Sequence, residues 1–72
     1  MKKKLKLQNL GCVNCAMKME TEIKKLDGVQ DASVNYMFQK LVIECDEDKF
    51  DSIFDSAKKI CSNIEPDCVL IK

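Results

Sequence analysis

Two cysteines, Cys12 and Cys15, stand in the stretch Leu10-Gly11-Cys12-Val13-Asn14-Cys15-Ala16, where alternating sequence gives way to helical periodicity. The thiolate is the nucleophilic and metal-binding form of cysteine, and a helix N-terminus favours it through unsatisfied N–H groups and a partial positive charge. Two thiolates spaced Cys-x-x-Cys at such a junction can converge on one soft ion, Cu(I), Zn(II) or Cd(II), or close into a disulfide. The pair sits beside polar Asn14 rather than within an apolar stripe, which argues against two purely buried cysteines.

The elements that must position the pair are short and regular. Residues 3–9 alternate Lys4, Lys6 and Gln8 against Leu5 and Leu7, the pattern of a half-buried strand. From Asn14 onwards, Ala16, Met19, Ile23 and Leu26 recur at helical spacing, and Asp27-Gly28 ends the helix. A second strand follows over 29–35, irregular near Asp31. Asn35 to Gln39 makes a turn, and 40–45 a third strand. The acidic run Asp46-Glu47-Asp48 is expected to cap a second helix. The apolar stripe of that helix is Phe50, Ile53, Phe54, Ala57, Ile60 and Ile64, and Pro66 ends it. Residues 67–71 supply a last strand.

The order β-α-β-β-α-β, with a right-handed crossover in each half, implies an α+β ferredoxin-like sandwich: a four-stranded antiparallel sheet with two helices on one face. This topology gathers Cys12, Cys15, Tyr36, Cys61, Glu65, Pro66 and Asp67 at one pole and leaves Cys45 at the other. All of residues 1–72 are expected to form a single domain with a small core.

Composition narrows the function. Twelve basic residues balance twelve acidic ones, so phosphate neutralisation by excess charge is not available for nucleic-acid binding. The run Lys2-Lys3-Lys4 reads as a solvated strand start. Apolar runs such as Leu41-Val42-Ile43 stop at three residues, far short of the ~20 a spanning helix needs. Neither a membrane span nor a signal peptide is expected, and a cytoplasmic location follows, whether free or as the cytosolic part of a longer protein. Five cysteines are an odd number and disulfides are rare in the cytosol, so a disulfide scaffold explains them poorly. There is no histidine, no phosphate loop and no nucleophile–base pair, so no enzyme is expected.

A closed structural zinc site needs four ligands, which this chain lacks in any obvious motif. A transferable site with two or three ligands fits better. The alternative is a small thiol-disulfide oxidoreductase using Cys12 and Cys15 as its redox couple; a plain interaction domain is a third possibility. Of the remaining cysteines, Cys68 alternates with Leu70 and reads as core, and Cys45 as a strand residue. Cys61, in the last turn of the second helix, reads as packing or as a third ligand. Met19 falls on the apolar stripe and Met17 off it.

The stretch 10–16, followed by Met19-Glu20 and by Leu26-Asp27-Gly28-Val29, resembles the heavy-metal-associated domain over essentially the whole chain. That family includes copper chaperones and the cytosolic N-terminal modules of metal-pumping P-type ATPases. The resemblance implies that Cys12 and Cys15 bind the metal on an exposed loop from about Leu10 to Ala16. It also implies delivery of the ion to partner domains, including the rest of a membrane ATPase. Copper-type members usually carry Met where this chain has Leu10, as a packing residue. Zinc-type members often carry an acidic residue where it has Gly11. Asn14-Cys15-Ala16 and Ile64-Glu65-Pro66-Asp67 are similar to modules of cadmium/zinc/lead-pumping ATPases, and Pro66 stands where the family often has Tyr, Phe or Lys. The cargo is therefore expected to be one soft ion, Cd(II) or Zn(II) ahead of Cu(I), with Cys61, Glu65 and Asp67 as possible additional ligands.

Overall fold

The computed structural model describes residues 1–71. It contains β1 (Lys2–Gln8), α1 (Val13–Lys24), β2 (Val29–Asn35), β3 (Lys40–Cys45), α2 (Phe50–Ile64) and β4 (Val69–Ile71). The strands form one antiparallel sheet in the order β2-β3-β1-β4. This is the expected ferredoxin-like sandwich. The core is what the two periodicities require. Leu5 and Leu7 of β1, Ala32 of β2, Leu41, Ile43 and Cys45 of β3 and Leu70 of β4 point into it. Ala16, Met19 and Ile23 of α1 and Phe50, Ile53, Phe54, Ala57 and Cys61 of α2 cover them. Each fully buried Leu, Ile or Met contributes about 1.5–3 kcal/mol.

Several boundaries differ from the sequence pattern, each for a local reason. Helix α1 stops at Lys24, with Lys25 as its cap, so Leu26 lies just beyond it and packs half-buried against the core. Gly28 then turns the chain at φ 91°, where a Cβ would meet the Lys49 side chain at 3.0 Å. The irregularity near Asp31 is a register shift between Val29 and Asp31. The acidic run does not cap α2 through its side chains. Asp46 makes no side-chain cap bond, Glu47–Lys49 form one 3-10 turn, and Lys49 precedes the helix without capping it. On α2, Cys61 takes the deep position, while Ile60 and Ile64 are half-buried. Helix α2 ends at Ile64, one residue before its cap Glu65 and two before Pro66.

Cys68 is 3% exposed and packs in the core. Cys68→Ser is expected to cost roughly 1–3 kcal/mol, the penalty for burying a poorly satisfied hydroxyl, with metal stoichiometry unchanged. Denaturant unfolding and a metal titration check the two halves. Equal stability together with lost metal would reassign Cys68 to the site.

Candidate metal centre

The β1–α1 connection is held from both sides. Asn9 turns it at φ 63° and Leu10 anchors it in the core, 4% exposed. On one flank, the side chain of Gln39 in the β2–β3 turn accepts from the Leu10 N–H at 2.9 Å. Its amide nitrogen donates to the carbonyls of Leu10 and Tyr36, both at 2.8 Å. On the other flank, Glu65 at the end of α2 accepts from the Gly11 N–H through Oε1 at 3.1 Å. The long-range contact explains why Gly11 is followed by an ordered loop: its backbone lies against a carboxylate, and a Cβ at this position would stand 3.5 Å from Glu65 Oε1.

Between these anchors Cys12 has extended backbone and serves as the N-cap of α1. Its Sγ accepts from the Cys15 backbone N–H at 3.2 Å, and its carbonyl accepts from the Ala16 N–H at 3.0 Å. A sulfur thus fills the capping role usual for a Ser or Asp oxygen. Both thiols are half-buried and unbridged, next to exposed Val13 and Met17. They are electronically unequal. The neighbouring Cys15 side chain, with the backbone N–H of Cys15, holds the Cys12 thiol below the ordinary value. The neighbouring Cys12 side chain, with burial and the negative charges of Cys12 and Glu65, pushes Cys15 up to about 11. Cys12 is thus the first of the two to ionise, and Cys15 keeps its proton through the neutral range until an incoming cation displaces it.

The additional candidates separate. Glu65 faces the pair. Its Oε1 holds Gly11, its negative charge helps to raise the Cys15 thiol, and its Oε2 is buried without a hydrogen-bond partner among the described residues. Cys61 is 1% exposed, in the core, against Cys68 rather than against the loop. Asp67 is exposed on the turn before β4. Among the described residues no three His, Cys, Asp or Glu side chains come together closely enough to hold a metal ion. Cys45 lies at the opposite pole, its N–H bonded to the Met1 carbonyl. Met19 is fully buried and Met17 exposed. The sequence reading missed Gln39, which it placed only in a turn. No local pattern marks a glutamine whose partner in the cysteine loop, Leu10, is 29 residues away.

A β-α-β-β-α-β sandwich carrying an ordered Cys-x-x-Cys loop over its first helix defines a class of small metal-binding modules. A family model, the heavy-metal-associated domain, matches residues 4–66, and the chain belongs to that family. It is 42% identical over 41 residues to the "Probable cadmium-transporting ATPase" of Alkalihalophilus pseudofirmus, covering 57% of this chain and 6% of the relative. It is 47% identical over 36 residues to the "Cadmium-transporting ATPase" of Staphylococcus aureus, covering 50% and 5%. The chain thus spans about a twentieth of the length of these curated relatives. Among solved structures, the yeast copper transporter domain Ccc2a shares the fold with a TM-score of 0.74 at 20% identity, covering 99% of this chain and 94% of that one. Among the described residues, no helix is long and apolar enough to cross a membrane.

Proposed function

We propose that this chain binds one soft metal ion between the Cys12 and Cys15 thiolates and hands it on, as the cytosolic N-terminal module of a metal-transporting P-type ATPase or as a free metallochaperone. The observation that carries this reading is the N-cap geometry. Cys12 Sγ already accepts the Cys15 N–H at 3.2 Å, so both sulfurs belong to one turn and the backbone stabilises the negative sulfur. Two ligands on a loop anchored only at its ends leave the ion open to attack by a thiolate of an acceptor domain, the step that transfer requires. Partners are accordingly metal-donating or metal-accepting protein domains, not nucleic acid, and this domain does not itself enter the bilayer.

A divalent cargo, Cd(II) or Zn(II), is favoured over Cu(I). Two thiolates satisfy Cu(I), whereas Zn(II) and Cd(II) seek about four ligands. The free Glu65 Oε2 is the oxygen best placed to add one, and the relatives named cadmium-transporting ATPases point the same way. Cys61 would have to leave the core and Asp67 to swing inward. Competition titrations on wild type and on Cys61→Ala, Glu65→Ala and Asp67→Ala test this. Glu65→Ala is expected to weaken Cd(II) or Zn(II) by about 10–100-fold and to leave Cu(I) nearly unchanged, with small effects at Cys61 and Asp67. Should none of the three alter divalent affinity while Cu(I) binds far more tightly, the domain is a copper module. Disulfide reductase turnover with no metal binding would instead favour the oxidoreductase reading.

A further inference from the structure

The single peptide group between Leu10 and Gly11 is held at both ends. Its carbonyl accepts from the Gln39 side-chain N–H at 2.8 Å, and its N–H, that of Gly11, donates to Glu65 Oε1 at 3.1 Å. A trans peptide points these two groups in opposite directions, so the two side chains grip it from opposite flanks. The Gln39 amide also accepts from the Leu10 N–H at 2.9 Å. Leu10 therefore presents both its N–H and its carbonyl to one amide, as a strand residue does to a partner strand. The Gln39 main-chain carbonyl already takes the Leu7 N–H at 2.8 Å. The side chain then carries the pairing of β1 past the end of β3. The tip does not need this amide for its own closure: Asn35 Oδ1 accepts from the Phe38 N–H at 3.0 Å, and the Leu7–Gln39 bond ties the tip to β1. Gln39 stands at φ 53°, a left-handed conformation that glycine or asparagine adopts at lower cost. What a glutamine adds there is an amide long enough to reach Leu10.

Cys12 follows directly on Gly11, whose missing side chain leaves the backbone free to rotate. Without the grip, the Leu10–Gly11 peptide would turn over readily and carry Cys12 off its N-cap position. We propose that Gln39 is a positioning residue for the cysteine pair: its amide, opposite Glu65, fixes the Leu10–Gly11 peptide and so keeps Cys12 Sγ on the Cys15 N–H, in the arrangement that receives the ion. This role rests on Cys12 and Cys15 being the metal site. The two grips are not equivalent. Glu65 is also the carboxylate placed to join a divalent ion, and in turning to the ion it lets go of the Gly11 N–H. Gln39 is neutral and uses all its contacts on backbone, so it is the grip that remains when the site is filled.

Two variants separate the amide from the backbone around it. Gln39→Met keeps the length and the strained φ and removes the amide; Gln39→Gly removes the amide and relieves the strain. Amide hydrogen exchange of the metal-free proteins, read residue by residue by NMR, is set beside competition titrations with Cd(II) and Cu(I). In both variants the Leu10, Gly11 and Cys15 N–H groups are expected to exchange at least about fivefold faster than in wild type, the weight of one lost hydrogen bond. Leu7 should stay protected, because its partner is the main-chain carbonyl of residue 39. Cd(II) and Cu(I) should each bind about tenfold more weakly, and equally so in both variants although the glycine variant is the more stable. Faster exchange at Leu10 with Cys15 exchange and both affinities at wild-type values would overturn the proposal and reduce Gln39 to a tie for the tip. Equal loosening of Leu7, or affinities that follow stability from one variant to the other, would overturn it as well, as general opening of the hairpin. Wild type that bound no ion while the exchange pattern held would remove the cargo reading and leave the grip on Cys12 standing.

Discussion

The Cys12→Ser/Cys15→Ser variant is expected to bind no Cd(II), Zn(II) or Cu(I) at one equivalent, with an affinity loss of at least about a thousandfold, and to remain folded. The first half follows from the exchange of two soft thiolates for hydroxyls, which stay protonated at neutral pH and suit none of these ions. The second half follows from the structure. Cys12 caps α1 through its side chain, and serine is among the best residues for that role, so the helix start keeps its acceptor. Cys15 is half-buried, and a hydroxyl there still reaches solvent. Circular dichroism and unfolding curves matching wild type, with no metal-dependent signal in a competition titration, are the expected results. One equivalent bound at near wild-type affinity would place the site elsewhere.

Metal affinity should rise steeply with pH. At Cys15, held at about 11, the proton is present throughout the neutral range and must leave when the ion arrives. At Cys12, which lies below the ordinary thiol value, the proton leaves on binding only when the pH is low enough for it to be present. Each displaced proton makes the apparent association constant rise about tenfold per pH unit. The slope of log K against pH should therefore approach two at the acid end and relax towards one as Cys12 ionises. Calorimetry in buffers of different ionisation heat counts the same protons. A flat profile between about pH 6 and 8 would mean that both thiols are already ionised and that the surroundings of Cys15 do not hold its proton.

The element order, the single helix-covered face and the pole shared by Cys12, Cys15 and Glu65 were legible because they follow from periods of two and 3.6 and from crossover handedness. Boundaries were less so. Acidic residues before α2 promised a cap, yet a 3-10 turn satisfies part of that need through the backbone bond from Lys49 N–H to the Asp46 carbonyl. Cys61 showed the limit of residue type as a guide. At the metal pole a cysteine suggests a ligand, but its phase on α2 matches Phe54 and Ala57, and phase decided its burial. Glu65 was recognisable as a neighbour of the loop from topology. That its carboxylate holds the Gly11 N–H was not, because the two residues are 54 apart in sequence. Gln39 carries two such contacts to Leu10, with a third to nearby Tyr36, and offers no sequence signal at all.

The Gln39 contacts also bear on how this domain could be lengthened or fused. Hairpin tips are ordinarily the places where a protein accepts an inserted peptide. The tip between β2 and β3 looks suitable, with Met37 and Phe38 fully open to solvent at 85% and 71% exposed. Yet Gln39 sits at φ 53° and reaches both Tyr36 and Leu10. An extra residue between 36 and 39 would misplace the amide and release the Leu10 end of the cysteine loop. The acidic turn at 46–48 is the better graft point: it is exposed and lies at the far pole, and an insertion there spares every contact to the cysteine loop.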